Sequence, residues 1–216
     1  PALRGFDRSA QPVPRLSRDR SREVGTAAVS SPRSLKVLFA RPGSSDSLDE
    51  VIYFSTPRLG GDMLPVMMLR LASAVKYGTA HRAVVHDARG GGPQAQRSVR
   101  EVAAVHRPDV AVIWLHPALL AAGLDAARAV RQAGCPLVLG SGPLVDLWQE
   151  GARRIPELDG LVPSNGEDAL LEGLKTFAEG GTSIQLAGAL ARPPGPAACG
   201  PVPLDRKLLD YAEYRR

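Results

Sequence analysis

The chain has 216 residues, of which 44% are hydrophobic and 5% aromatic, and its formal net charge is +5. This length is enough for one domain of ordinary size. No apolar run approaches the roughly 20 residues of a membrane helix, which excludes that kind of membrane span and favours a soluble protein.

The positive charge is concentrated in the first part of the chain. Residues 1–34 contain seven arginines and three acidic residues, so they hold four of the five net positive charges. The rest of the chain is nearly neutral, and no aromatic or base-reading residues accompany the arginines. We therefore predict a disordered basic arm over residues 1–34, and we do not expect nucleic acid as a partner.

Short apolar runs alternate with longer amphipathic stretches from residue 35 onwards. The apolar runs predict strands at residues 35–40, 82–86, 109–115, 136–140 and 159–162. The amphipathic stretches predict helices from the cap residue Asp62 to Gly78, over 94–106, over 117–133, over about 144–154 and from Gly166 onwards. The third strand is almost continuously apolar, as a central parallel strand covered on both faces should be.

This alternation predicts an α/β fold with a doubly wound, five-stranded parallel sheet of the flavodoxin-like or Rossmann-like kind. We expect the strand order 2-1-3-4-5. Ligands of such sheets bind beyond the carboxyl ends of the strands, where the strand order reverses. The loops after residues 40, 86, 115, 140 and 162 are therefore the candidate binding loops.

The segment Asp87-Ala88-Arg89-Gly90-Gly91-Gly92 directly follows the second predicted strand. Its glycines would let the backbone approach a large flat ligand closely, although a flexible loop has the same composition. The segment resembles the Asp-x-His-x-x-Gly signature of cobalamin-binding domains, in which the histidine is the lower ligand of cobalt. In this chain Arg89 stands in the histidine position.

Other stretches resemble, in the same order along the chain, the cobalamin-binding domains of radical S-adenosylmethionine enzymes. They are Pro57-Arg-Leu-Gly60 before a helix, His106-Arg-Pro-Asp before the third strand, Gly140-Ser141-Gly142-Pro after the fourth, and Ser164-Asn165-Gly-Glu-Asp at the last helix. The stretch from Pro203 to Tyr211 resembles the bridge to the radical domain. The resemblance covers residues 35–216 and implies that the chain is the cobalamin-binding part of a methyltransferase.

The resemblance also implies that several loops share one cofactor. The residues expected to contact cobalamin are Pro57, Leu59, Gly60, Asp87, Ala88, Arg89, Gly90, Gly91, Leu115, His116, Gly140, Ser141, Gly142, Ser164 and Asn165. His116 precedes a proline and has an alternative role as a helix cap, and Glu167 is expected to be structural because it opens a helix.

Arg89 is the main departure from the family pattern. A guanidinium has no free lone pair, so Arg89 does not ligate cobalt, and the lower face of the corrin should lack a protein ligand. Within the family, such an arginine is associated with the tryptophan methyltransferases of thiopeptide biosynthesis. We predict no metal-ligating and no catalytic residues in this chain.

The cysteines and the domain boundaries bear on catalysis. Three closely spaced cysteines are needed to hold a radical-generating [4Fe–4S] cluster, whereas this chain has only Cys135 and Cys199. We expect a cobalamin-binding domain over 35–180, and a proline-containing linker with the start of a missing radical domain over 181–216. S-adenosylmethionine and the cluster are expected only in that domain, which would be joined in cis or supplied by a separate chain. The chain alone is then not catalytic.

The sequence also bears on the cellular compartment, and it leaves two alternative functions open. The lack of paired cysteines indicates a reducing, cytoplasmic compartment, and the substrate is expected to be a small molecule or a peptide. A flavin- or nucleotide-binding flavodoxin-like domain is one alternative, because the fold alone does not fix the ligand. A degenerate domain that binds nothing and serves as an interaction surface is the other. The missing histidine supports this last reading, and the glycines oppose it.

Overall fold

The structure is a computed structural model that describes residues 33–43, 66–88, 97–181 and 203–208. All of these residues belong to one compact unit, Pro32–Arg216. Five strands in the described residues form a single parallel sheet in the order β2-β1-β3-β4-β5. They are β1 (Lys36–Arg41), β2 (Arg82–Asp87), β3 (Val110–Trp114), β4 (Leu137–Ser141) and β5 (Gly160–Val162). The predicted fold class and strand order are confirmed.

Helices follow each strand in the manner of a doubly wound sheet. They are α1 (Val66–Gly78), α2 (Val99–His106), α3 (Leu120–Gln132), α4 (Pro143–Leu147), α5 (Gln149–Ala152) and α6 (Glu167–Ala178). The described residues also contain two 3₁₀ turns. Pro117–Leu119 directly precedes α3, and Arg206–Leu208 lies near the end of the chain. None of the helices in these ranges is long and apolar enough to span a membrane.

Alternation along the strands fills two cores, one on each face of the sheet, because successive side chains of a strand point to opposite faces. On one face, α1 and α6 pack on Phe39, Val112 and Leu139. On the other face, α2, α3 and the short helices α4 and α5 pack on Leu38, Ile113 and other apolar side chains of the sheet. Both faces are covered, as the apolar sequence of β3 predicts.

The boundaries of α2 follow from its local sequence. Ser98 and Glu101 form a capping box: the Glu101 amide donates to Ser98 Oγ at 3.2 Å, and the Ser98 amide donates to Glu101 Oε2 at 2.7 Å. The helix stops at Arg107, whose φ of +47° is left-handed, and Pro108 follows. The beginning of the predicted helix, residues 94–96, lies outside the described residues.

The prediction of one helix over about 144–154 was wrong. The structure has two short helices, α4 and α5, that are separated at Trp148, where φ is −143° and ψ is 56°. The indole ring lies directly over the backbone of Gly151, because a Cβ built on that glycine would be only 1.9 Å from Trp148 Cε2. A side chain at residue 151 would collide with this ring, so residue 151 accepts one only if the exposed indole moves.

Cys135 is buried at the start of β4, and its Sγ donates to the carbonyl of Leu137 at 3.3 Å. Burial raises the pKa of this thiol to about 11, so almost none of it is thiolate at neutral pH. Cys135 is therefore an inert core residue.

Candidate functional site

Four side chains line up where the strands end, on the face covered by α1 and α6. Asp87 of β2 is the register partner of Arg41 of β1, and Trp114 of β3 is the partner of Ser141 of β4. Ala40 pairs with Ile113, so Arg41 and Trp114 follow one step later on neighbouring strands. We call Asp87, Arg41, Trp114 and Ser141 the terminal row. The row crosses the point between β1 and β3 where the strand order reverses, which is where ligands of such sheets bind.

The terminal row differs in chemistry from the layer below it. Two residues earlier on each strand, and on the same face, stand Val85, Phe39, Val112 and Leu139. These side chains are apolar, and the next layer, at the carboxyl ends, contains a carboxylate, a guanidinium, an indole and a hydroxyl. Packing of an apolar core does not require polar side chains at its edge. The change from apolar side chains to side chains with polar groups therefore marks this end of the sheet as the candidate site.

Arg41 and Asp87 form a buried ion pair in this row. Arg41 Nη1 lies 3.2 Å from Asp87 Oδ2, and the two side chains are 11% and 1% exposed. The amide of Ala88 also donates to the carbonyl of Arg41 at 2.9 Å. The end of β2, where the glycine-containing loop begins, is therefore tied to the end of β1. The sequence analysis identified Asp87 and Ala88 as contact residues but did not include Arg41 among them.

Ser141 contributes a buried hydroxyl without a partner. The residue is 1% exposed, and its Oγ makes no hydrogen bond within the described ranges. A buried hydroxyl that lacks a hydrogen bond costs about 1–3 kcal/mol. Such a group calls for an explanation, and contact with a ligand that carries hydrogen-bonding groups would provide one.

Gly142 and Gly140 have different roles. Gly142 has a φ of +101°, and a Cβ on it would lie 2.9 Å from both the Leu115 carbonyl oxygen and Trp114 Cδ2. The glycine is thus required for the turn after β4. A Cβ on Gly140 would lie 2.8 Å from a methyl group of Leu115 and from one of Leu158. Space beside Gly140 is already filled by the core, and Leu115 is fully buried there.

The loop after β5 is held by a residue that sequence reasoning missed. The amide and Oγ of Ser164 both donate to the carboxylate of Asp146, at 3.0 and 2.5 Å. The Ser164 side chain therefore has a protein partner, whereas Asn165 beside it is exposed. Asp146 lies on α4, and a sequence without known topology gives no signal that α4 and this loop are neighbours.

Two histidines lie near the carboxyl ends of the strands. His116 Nδ1 accepts the amide hydrogen of Ala118 at 3.2 Å and so caps the 3₁₀ turn, as the alternative reading expects. His86 directly precedes Asp87, and alternation along β2 places its side chain on the opposite face from the terminal row. It is 4% exposed, and burial lowers the pKa of its imidazole. His86 is therefore neutral at pH 7 and turned away from the terminal row.

An ion pair joins helices α1 and α6. Arg70 Nη2 lies 2.6 Å from Glu167 Oε1, and the carboxylate side chain is only 12% exposed. Glu167 also stands in the first turn of α6, where the helix dipole favours an anion. Both features are structural, as the sequence predicts for Glu167.

Six of the predicted contact residues lie outside the described residues: Pro57, Leu59, Gly60, Arg89, Gly90 and Gly91. Their roles stay predictions. In the ranges that are described, no group of three or more histidine, cysteine or acidic side chains could hold a metal ion.

No protein-family model matches this chain, and no curated protein matches it. Among solved structures, the crystal structure of the response regulator domain of Thermotoga maritima CheB is similar. The two chains are 16% identical, the likeness covers 75% of this chain and 100% of that domain, and the TM-score is 0.39. A likeness at this level carries no argument, and the architecture follows from the observed strand order.

Proposed function

We propose that this chain binds cobalamin at the carboxyl ends of its strands, as the cofactor domain of a radical S-adenosylmethionine methyltransferase. The proposal rests first on the family resemblance of stretches that are far apart in sequence. In the described residues, Asp87-Ala88, Gly140–Gly142 and Ser164-Asn165 all fall at the same end of the sheet. The observation that carries the proposal is the unpartnered buried hydroxyl of Ser141 within one of these stretches.

The residues of this site suit such a ligand. Cobalamin carries many amide groups and a nucleotide tail with hydroxyl and phosphate oxygens, so hydroxyl and amide side chains are fitting partners. Ser141 and the exposed Asn165 would hold the tail side. Gly142 keeps the turn after β4 free of a side chain, and the Arg41–Asp87 pair fixes the start of the loop that contains Arg89. Gly140, Leu115 and Ser164 would support the site from within the protein instead of contacting the ligand.

No imidazole is expected beneath the cobalt. Arg89 stands where the family has its ligating histidine, His116 caps a turn, and His86 faces the other side of the sheet. Cobalamin, when bound, supplies a centre that carries a methyl group. The part of this chain is to bind and orient it, with Arg89 placing a positive charge near the corrin.

The rest of the reaction would belong to a radical domain, in cis or as a separate chain. The cluster and S-adenosylmethionine would be held there, because the two cysteines of this sequence are too few for a cluster. The acceptor of the methyl group would be an unactivated carbon of a small molecule or peptide, in natural-product biosynthesis. A reducing, cytoplasmic location fits this chemistry.

Reconstitution tests the proposal and its two alternatives together. After incubation with hydroxocobalamin and removal of free cofactor, we expect the protein to keep the corrin absorption, and a parallel incubation with FMN should leave no flavin spectrum. Retained flavin without retained cobalamin would favour a flavodoxin-like function. A folded protein that keeps neither cofactor would favour the degenerate domain.

The variant Ser141→Ala separates binding from stability. We expect about a fivefold loss of cobalamin affinity, because a net hydrogen bond is worth about 1 kcal/mol. The free energy of unfolding without cofactor should be unchanged or higher, because the deleted hydroxyl has no partner in the described structure. Equilibrium dialysis and urea unfolding measure the two quantities. An unchanged affinity combined with a loss of stability would show that the hydroxyl serves the fold and not the ligand.

A further inference from the structure

The segment 203–208 lies on helix α1, and Asp205 is its buried residue. The Asp205 side chain is 5% exposed and forms an ion pair with Lys76. Its Oδ2 also accepts from Tyr77 Oη at 2.9 Å, and its Oδ1 accepts from the amide of Lys207 at 2.9 Å. A buried carboxylate is tolerated when it is paired and hydrogen-bonded in this way.

Helix α1 is built to receive this residue. Ser73, Lys76 and Tyr77 follow one another at helical spacing and form one stripe, whereas Met68 and other apolar residues of α1 pack towards the sheet. Ser73 is fully buried, and its Oγ accepts the amide hydrogen of Asp205 at 2.9 Å. Serine is not a favoured residue in the interior of a helix, so the buried Ser73 hydroxyl does not stabilise α1 itself. The stripe therefore forms a complementary binding surface for the segment that contains Asp205, about 130 residues later in the sequence.

Electrostatic attraction between Asp205 and Lys76 favours the contact of residues 203–208 with α1 across the neutral pH range. The hydrogen bond from Lys76 is the largest cause that lowers the pKa of Asp205, and the hydrogen bond from Tyr77 acts in the same direction. A carboxylate with a lowered pKa stabilises the folded arrangement above its ordinary pKa, and the contribution is lost only as the pH falls through the lowered value. Asp205 is therefore ionised, and paired with Lys76, across the neutral pH range.

We propose that residues 203–208 are a docking segment that anchors the region after residue 208 to α1 through Asp205. The anchor itself follows from the contacts above, and the identity of that region as the radical domain rests on the proposed function. Lys76 and Tyr77 lie in the last turns of α1, about 15 Å along the helix from its beginning beside the terminal row. Residues 203–208 are therefore held against the part of α1 that lies away from the terminal row.

The distance between two spin labels tests the anchor in the full chain. One label is placed by Lys207→Cys, and the other by Ala104→Cys on the exposed side of α2. Cys199→Ser removes one native thiol, and Cys135 is buried and protonated. We expect a single narrow distance distribution by double electron–electron resonance, and a distribution at least twice as wide when Asp205→Ala is added.

Matched variants make the outcome specific. Asp125→Ala removes the exposed ion pair between Asp125 and Arg128, which both lie on α3. This variant should leave the distance distribution narrow. Tyr77→Phe removes one donor to Asp205 and should broaden the distribution less than Asp205→Ala does, which provides a milder variant if the latter folds poorly. An unchanged distribution in both Asp205→Ala and Tyr77→Phe would overturn the anchor. A narrow wild-type distribution in a protein that does not retain cobalamin would overturn the proposed function and leave the anchor standing.

Discussion

Replacing Arg41 with methionine is expected to lower the free energy of unfolding by about 3 kcal/mol. The Asp87 side chain is 1% exposed and has its ion-pair partner 3.2 Å away on the neighbouring strand. Methionine keeps much of the volume but removes the positive charge, which leaves a buried carboxylate without this cation. Breaking a buried ion pair from one side costs about 3–5 kcal/mol for this reason. Chemical unfolding in urea at pH 7 measures the change.

The control is an ion pair of the same chemistry at the surface. Arg128 contacts Asp125 and Glu157 and is 51% exposed, so Arg128→Met should cost no more than about 1 kcal/mol. The double variant Arg41→Met with Asp87→Asn should recover part of the loss, because the negative charge of the buried carboxylate is then gone. If Arg41→Met and Arg128→Met lowered the free energy of unfolding equally, the buried ion pair would contribute no more to stability than the exposed one, and the prediction would be wrong.

Replacing Gly142 with alanine is the second change with a large expected effect. A φ of +101° disfavours any residue with a Cβ, and this Cβ would lie 2.9 Å from the backbone oxygen of Leu115 and from the ring of Trp114. A backbone oxygen and a packed indole do not move aside easily. We expect a loss of about 2–4 kcal/mol in the free energy of unfolding, from strain and contact together.

Gly134→Ala separates these two causes. Gly134 has a φ of +92°, but a Cβ built on it meets nothing within 4 Å. This variant suffers the strain alone and should lose about 1 kcal/mol. If the variants at 134 and 142 lost the same free energy in parallel thermal or urea unfolding, the close approach of Leu115 and Trp114 to Gly142 would be without consequence.

The fold could be predicted from the sequence because its signals are local. The apolar run from Val110 to Trp114, bounded by Pro108 and Pro117, predicts a buried strand without any knowledge of its neighbours. The right-handed connections of parallel strands then leave few strand orders, and the flavodoxin-like order 2-1-3-4-5 is one of them. The break at Trp148 could not be predicted, because residues 144–154 contain no proline that would mark it.

The candidate site was predicted in part, and the reason lies in the register between strands. Asp87, Ser141 and Gly142 were identified from single stretches of sequence. The pairing of Asp87 with Arg41 depends on which residues of β1 and β2 face each other, and the contact of Ser164 with Asp146 depends on where α4 lies. Gly140 was expected to contact the ligand, but the methyl groups of Leu115 and Leu158 fill the space beside it.

The electron paramagnetic resonance spectrum of the protein loaded with cob(II)alamin tests the central claim most directly. A ¹⁴N ligand on the lower face of cobalt splits each cobalt line into three, and a ¹⁵N ligand splits it into two, so ¹⁵N-labelled protein with unlabelled cofactor distinguishes a protein ligand from the benzimidazole of cobalamin. We expect no doublets from the wild-type protein and doublets from Arg89→His, which restores the imidazole of the family motif. Doublets from the wild-type protein, or no cobalt signal after free cofactor is removed, would contradict a corrin held without a protein ligand from below.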